Sequence, residues 1–593
     1  MQQQGVVILV NKNRIANYDK EPEVVVEGYE NSTWKGYDYI TNEIKSKINK
    51  NKFIITVDCY PGVKDSEVLT ALISELKPQC VIKSEDVFYD EDKLTSLIKK
   101  NLTDDRVFGV MYYGEINDFI DKERIEEIKK KVEDVKSGIV LIYGVAASLI
   151  NPGDILIYAD LARWEIQQRY RRKELGNFKT DNYDEDTLRK YKRAFFIEWR
   201  VTDRHKKNLY DKIDYLLDTN IYDDPKMITG DAFREGLVEA TKRPFRVVPY
   251  FDPGVWGGQW MKEVCDLDRD KENFAWSFDG VPEENSLYLR YGDVRVEVPS
   301  INVVLYRPKE LLGEKVYARF GAEFPIRFDF LDTMGGQNLS LQVHPLTEYI
   351  QENFGMHYTQ DESYYILDAK EDACVYLGLK DSVDKEAMIS DLARAQRGEI
   401  TFDTEKYINK FHAKKHDHFL IPAGTIHCSG RNSMVLEISA TPYIFTFKLW
   451  DWGRVGLDGL PRPIHIEHGR NVIQWDRTTE WIKNNTVNRI ELISDNGKVK
   501  EEKTGLHELE FIETRRYWSD DVVQHNTNGV VNVLNLVEGE EAVVESPKGG
   551  FKPFVVHYAE TFIIPAEVGE YTIRPYGRSK GETIGVIKAY VRF

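Results

Sequence analysis

Four side chains able to bind a metal fall in three short apolar segments of this chain. Gln342 and His344 sit in Leu-Gln-Val-His-Pro, Glu362 in Asp-Glu-Ser-Tyr-Tyr-Ile-Leu, and His427 in Ile-Pro-Ala-Gly-Thr-Ile-His. Gln342 and His344 are two apart, a spacing that puts both on one face of a strand and Leu341 and Val343 on the other. Pro345 then ends the ladder. Glu362 opens an apolar strand, and His427 follows the turn Pro422-Ala-Gly424. A β-barrel can bring strand ends of this kind together across its interior. A lone strand histidine is more often an ordinary hydrogen-bonded core residue. Four such groups, each beside a turn or strand end, favour a metal site. Two imidazoles, a carboxylate and an amide oxygen form a borderline N/O donor set that suits one Zn²⁺, with Mn²⁺, Fe²⁺ or Co²⁺ as substitutes. The set leaves room for water or substrate, as a catalytic site requires.

At 593 residues the chain is too long for one core, and three or four domains are expected. Its net charge of −18 argues against a nucleic-acid or anionic-membrane binder, because phosphate backbones need a basic footprint. A small phosphorylated ligand needs only two or three local cations and stays open. The cysteines Cys59, Cys80, Cys265, Cys374 and Cys428 are scattered and form no CxxC pair, so they read as reduced thiols of a cytoplasmic protein. No apolar run approaches the ~18 residues of a membrane helix. Residues 1–10 lack a basic n-region and read as a first strand rather than a signal peptide.

The fold class expected is multidomain, α/β followed by β. Residues 1–228 alternate β-branched runs (Lys52–Asp58, Val107–Tyr112, Gly138–Gly144) with helical patterns such as Lys122–Val135, as in a parallel sheet covered by helices. A charged stretch at helical spacing, Ala159–Leu217, follows. Near Pro244 the texture changes to Gly, Pro, Trp and short strands. Residues 229–480 read as a catalytic β-barrel domain with a helical insertion at about 381–411, and residues 481–593 as a second β domain. Phe419-Leu-Ile-Pro-Ala-Gly and Phe562-Ile-Ile-Pro-Ala-Glu resemble each other, which suggests two related modules of which only the first keeps its histidine.

The ordered segments QNLSLQVHP, DESYYIL, IPAGTIHCSGRNSMVLEIS, FTFKLWDWGR and PRPIHIE resemble a class I mannose-6-phosphate isomerase, a zinc-dependent cupin enzyme. YFDPGVWGGQWM and ENFAWSF resemble the Trp-Gly-Gly opening of that family. The likeness covers about residues 240–480, and 481–593 more loosely as a second cupin (jelly-roll) module. It places Gln342, His344, Glu362 and His427 on the family's metal ligands. It implies interconversion of mannose 6-phosphate and fructose 6-phosphate through an enediol, with a small-molecule sugar phosphate as partner. Glu437 matches the acidic residue of the family's Leu-Leu-Glu-Ile stretch and is expected to handle a proton or support a ligand.

Two positions depart from the family pattern. Gln360 stands where many members carry Lys, and Lys448 where many carry the presumed catalytic Arg; Lys keeps the charge but loses the bidentate fork. Arg454 is then a candidate to take over the oxyanion or phosphate role. These departures leave a non-catalytic sugar-phosphate-binding or regulatory protein as the alternative. His412, His416 and His418 are read as a solvated turn and not as a metal site. In the first domain, Pro61-Gly-Val-Lys64 occupies the place of a phosphate-binding loop but lacks GxxxxGK[ST]. With Arg163, Arg169, Arg171 and Arg172 downstream, residues 50–220 resemble a uridine-kinase-like protein that has lost its nucleotide loop. Oligomeric state does not follow from the sequence.

Overall fold

The computed structural model describes residues 16–440, 443 and 445–593; the first strand expected over residues 1–10 lies outside the described residues. The chain divides into two compact units that are not consecutive in sequence. One joins the segment ending at Pro22 with Thr241–Glu283 and Pro308–Phe593, and the other joins Glu23–Ala240 with Glu284–Arg307. The range 229–480, expected to form one barrel domain, therefore contributes Glu284–Arg307 to the second unit.

The Glu23–Ala240 unit holds a seven-stranded sheet. Its strand order is Thr33–Lys35, Lys226–Thr229, Tyr215–Asp218, Ile155–Asp160, Lys52–Cys59, Gly138–Gly144, Cys80–Lys83. The last five are parallel. The β-branched run of Lys52–Cys59 lies at the centre and is buried along most of its length, as a strand covered on both faces must be. Asp121 caps the Lys122–Asp134 helix by accepting from the Glu123 and Arg124 amides at 3.0 and 3.3 Å, a contact worth about 1 kcal/mol. Ser286–Tyr291 pairs with Glu23–Val25 on one side and Val294–Pro299 on the other in a second, three-stranded sheet of this unit.

One expectation for this unit is corrected. Val107–Tyr112 is not a strand. The Asp105 carboxylate takes the Val107 and Phe108 amides, and the Val110 and Tyr112 amides go to the carbonyls of Asn101 and Phe196, so no ladder remains. The edge position belongs instead to Cys80–Lys83, too short and mixed to stand out in the sequence. In the arginine-rich stretch the first two arginines are buried. Arg163 and Arg169 are each 1% exposed: Arg163 pairs with Asp203, and Arg169 donates to the Gly62, Thr219 and Asn220 carbonyls.

The other unit contains two β-sandwich modules. The first stacks a six-stranded sheet (Tyr250–Asp252, Trp276–Gly280, Arg327–Asp332, Ser433–Ala440, Asp361–Ala369, His418–Ile421) on a five-stranded one (Phe447–Trp450, Leu341–Val343, His427–Ser429, Cys374–Leu379, Ile408–His412). The insertion forms helices Lys385–Gln396 and Thr404–Tyr407, but Ile408–His412 has rejoined the sheet as an edge strand. The second module pairs a six-stranded and a four-stranded sheet over residues 491–591. Its core is aliphatic and aromatic, with Leu534, Leu536, Val544, Val556, Phe562, Ile573 and Val586 packed between the sheets. No helix among the described residues is long and apolar enough to cross a membrane.

Candidate metal centre

The first sandwich places its polar residues inside. On the five-stranded sheet Gln342 lies directly opposite His427 on one neighbour and opposite Lys448 on the other, so all three side chains share a face. His344 follows Gln342 at the two-residue spacing of a strand. On the six-stranded sheet Glu437 lies opposite both Tyr364 and Asp329, and Ser439 opposite both Glu362 and Arg327. Glu362, Tyr364, Glu437, Arg327 and Asp329 therefore share the facing inner surface.

Across this interior, His427 Nε2 lies 2.7 Å from Glu362 Oε1 and His344 Nε2 lies 3.2 Å from Glu362 Oε2. All three residues are fully buried, and their ligand atoms lie within 4.8 Å of one another. Each imidazole has its Nδ1 against a backbone carbonyl, at 2.8 Å from Phe445 O for His344 and 2.9 Å from Thr425 O for His427. A carbonyl only accepts, so each Nδ1 carries a proton and each Nε2 faces the carboxylate. Lone pairs facing an anion in a dry interior repel unless a proton or cation lies between them. His344 Nε2 and Glu362 Oε1 accordingly have no hydrogen-bond partner. This donor set fits a divalent ion, with the carbonyls acting as the supports that orient metal-binding imidazoles. The Gln342 amide sits 3.2 Å from His427 Nε2 through its nitrogen. A flip of that amide, which leaves its shape unchanged, would turn the oxygen to the same point.

The turn that delivers His427 is held from several sides. Gly424 has φ of +86°, and a Cβ there would stand 2.6 Å from Gln474 Cγ and 2.9 Å from the Val472 carbonyl. Its amide donates to the His344 carbonyl at 2.9 Å, which ties the two histidine segments together. Arg477 donates to the Pro422 and Ala423 carbonyls at 2.8 and 2.6 Å, and Asp361 accepts from the Ala423 amide at 2.8 Å.

Gln360 and Glu437 form the next layer. Gln360 Nε2 donates to Glu362 Oε2 at 3.0 Å and to Glu437 Oε1 at 3.4 Å, so a neutral amide bridges the two carboxyls. Glu437 is buried and does not face solvent. Burial, and then the charges of Glu362 and Asp329, raise its carboxyl well above the ordinary range. For Glu362 burial also pushes upward, but the two imidazoles override it and hold the carboxyl well below the usual range.

The remaining sequence candidates separate. Lys448 stands on the site face beside Gln342. Arg454 is engaged elsewhere: it donates to Asn338 O at 2.7 Å and Asp451 O at 3.2 Å and pairs with the Asp451 carboxylate. Its charge acts on Cys428, which points away from His427 on the same strand. The three histidines of the 412–418 segment go to different partners, and the reading of a solvated turn is corrected for one of them. His412 meets the Glu371 carbonyl, His416 meets Glu538 and Tyr365, and His418 is fully buried against Ser363 Oγ at 2.8 Å.

Sequence reasoning missed Arg327 and Asp329, 3.3 Å apart on the inner face and 3% and 7% exposed. In Arg327-Phe-Asp-Phe-Leu-Asp332 the charges alternate with aromatics, a signal normally read as charge outward. Here both faces are buried, and the charged face is the one turned to the site.

These features define a cupin-like sandwich with a candidate His–Glu–His metal site in its interior. The chain is 31% identical over 232 residues to the Bacillus subtilis protein named "Probable mannose-6-phosphate isomerase GmuF", spanning 39% of this chain and 68% of that one. It is 24% identical over 240 residues to mannose-6-phosphate isomerase ManA of the same organism, spanning 40% and 69%. The crystal structure of the mannose 6-phosphate isomerase from Bacillus subtilis matches over 59% of this chain and 99% of its own, at 18% identity and a TM-score of 0.47. This chain belongs to the mannose-6-phosphate isomerase family. Residues 36–242 match a separate family, described as a domain of unknown function (DUF8485). That region holds a cavity of about 650 Å³ at the carboxyl ends of Lys52–Cys59 and Gly138–Gly144. Of its three lysines, Lys64 and Lys83 are paired with Glu174 and Asp65, at 2.6 and 3.2 Å, and Lys179 donates to the Glu85 carbonyl at 3.2 Å.

Proposed function

We propose that the chain is a metal-dependent aldose–ketose isomerase that interconverts mannose 6-phosphate and fructose 6-phosphate through an enediol. The observation that carries this reading is the convergence of two imidazole Nε2 atoms on the Glu362 carboxylate in a buried interior, within a chain of this family. Gln342, His344, Glu362 and His427 would hold one divalent ion, with Zn²⁺ best suited to the donor set. When bound, such an ion supplies electrophilic stabilisation of negative charge on the sugar oxygens.

The chain's own residues divide the remaining work. Glu437 is the group we assign to move the proton between C1 and C2, since it is buried, inward-facing and within one amide of the ligand carboxylate. Lys448 presents its charge on the site face and stands against the charge of the phosphate or enediolate. Arg454 fixes the segment that follows and takes no part in the chemistry.

A coupled isomerase assay with metal analysis of the same sample tests the proposal. Turnover abolished by a chelator and restored by Zn²⁺ is expected. Absence of turnover on any hexose 6-phosphate with a full metal site would sink it and leave sugar-phosphate binding without catalysis. That second reading draws on Gln360, which lends an amide where the family offers a cation.

A further inference from the structure

We infer that Gln360 is a positioning residue that decides which oxygen of Glu362 is offered to a metal ion. Its amide engages Oε2, leaves Oε1 as the open donor and holds the Glu437 carboxyl alongside. The inference rests on the metal-site reading given above.

Gln360 lies immediately before the strand Asp361–Ala369 and is 4% exposed. A neighbour fixes the orientation of its amide. The Phe445 backbone N–H donates to Gln360 Oε1 at 3.2 Å. A backbone N–H can only donate, so the atom facing it is the oxygen and the opposite atom is Nε2. The Phe445 carbonyl in turn takes His344 Nδ1 at 2.8 Å, so one backbone residue steadies both the imidazole and the amide. Thr359, the preceding residue, donates its hydroxyl to the Pro345 carbonyl and ties the same stretch to the segment after His344.

Oriented this way, the amide directs both of its hydrogens at carboxyls and none at the backbone. Nε2 donates to Glu362 Oε2 at 3.0 Å and to Glu437 Oε1 at 3.4 Å. The two Glu362 oxygens are therefore unequal. Oε2 accepts from Gln360, whereas Oε1 and His344 Nε2 have no hydrogen-bond partner. The unengaged Oε1 is also the oxygen that faces His427, 2.7 Å from its Nε2. A carboxylate can hold a cation through one oxygen or through both. An N–H bonded to one oxygen favours ligation through the other, and a ligand that takes one position instead of two leaves room for a sugar oxygen. The same amide keeps Glu437, the assigned proton carrier, one hydrogen bond away from the ligand carboxylate.

The test uses the full chain loaded with Co²⁺, whose visible absorption weakens as its coordination number rises, with metal content measured for each variant. Gln360→Met keeps the length of the side chain and removes the amide. It is expected to retain its Co²⁺, to lose absorption intensity as Oε2 becomes a second donor, and to lower kcat/KM for mannose 6-phosphate about 10–100-fold. Gln360→Glu can still accept from Phe445 but cannot donate, and is expected to lose intensity in the same way. Gln360→Lys donates but cannot accept, so it keeps the bond to Oε2 and is expected to keep the parent's intensity. Parental intensity in Gln360→Met overturns the inference, as it does in Gln360→Glu should Gln360→Met not fold. So does a Gln360→Lys spectrum that matches Gln360→Met, because donation would then not be what matters. A parent that takes up Co²⁺ and gives the expected pattern without isomerising mannose 6-phosphate removes the isomerase reading and leaves the role of Gln360 standing. A parent that isomerises while every variant shares its spectrum removes only the present inference. A parent that takes up no divalent ion removes both.

Discussion

The two sandwich modules share a unit and a turn sequence but fill their interiors in opposite ways. The first encloses Gln342, His344, Glu362, His427 and Glu437. The second encloses Leu534, Leu536, Val544, Phe562 and Val586. The turn Phe419-Leu-Ile-Pro-Ala-Gly leads to buried His427, whereas Phe562-Ile-Ile-Pro-Ala-Glu leads to exposed Glu570 and buried Tyr571. One scaffold thus spends its interior on chemistry and the other on cohesion. Buried ligands with unpaired atoms cost stability until an ion or substrate arrives, and a packed apolar core next door can offset that cost.

Glu362→Ala should break the contrast most severely. Losing the carboxylate that both imidazoles address is expected to remove the metal and lower turnover on the order of 10⁴-fold, read by kinetics and metal analysis. Glu437→Gln should leave metal content intact and lower kcat by about 10²–10⁴-fold, the usual worth of a positioned proton carrier. Retained turnover in that variant would move proton transfer to another group.

The second module should respond through stability. Leu536→Ala, at a fully buried position, is expected to cost about 2–5 kcal/mol in denaturant unfolding while kcat per folded molecule is unchanged. A smaller effect is expected at Lys588, which continues the inner row of Ile584 and Val586 and is 7% exposed. Burial lowers its ammonium to about 8. The unfolded chain, near 10.4, then binds more protons than the folded one between pH about 8 and 10, so stability should rise with pH across that window. Lys588→Met should abolish the rise and add about 1–3 kcal/mol at pH 7, checked by unfolding at several pH values.

Much of the candidate metal cluster was legible because its residues sit at turns and strand ends with a two-residue spacing. Gln342 and His344 reach one face for that reason alone, and the Pro422-Ala-Gly424 turn announces His427. The long, uniformly apolar strands Lys52–Cys59 and Gly138–Gly144 were equally plain. What failed to show depended on partners distant in sequence. Val107–Tyr112 has the composition of a strand but is diverted by Asp105, Asn101 and Phe196. Arg327 and Asp329 carry an outward-facing pattern on a strand whose outer face is also covered. Local spacing reports which groups share a face, but not which face becomes the interior.

The interleaving of the two units bears on how the protein can be made. Glu23–Val25 pairs with Ser286–Tyr291, residues separated by most of the first half of the chain. A ribosome must therefore synthesise past Arg307 before the Glu23–Ala240 unit has all of its strands. By then it has also released Thr241–Glu283, a piece of the other unit that must wait for partners still untranslated. Expression of residues 1–240 alone would deprive Glu23–Val25 of its neighbours and leave a bare strand edge, the feature that invites intermolecular pairing. A cut in this protein that respects its architecture has to carry Glu284–Arg307 along, by a linker or by co-expression, rather than follow the order of the residues.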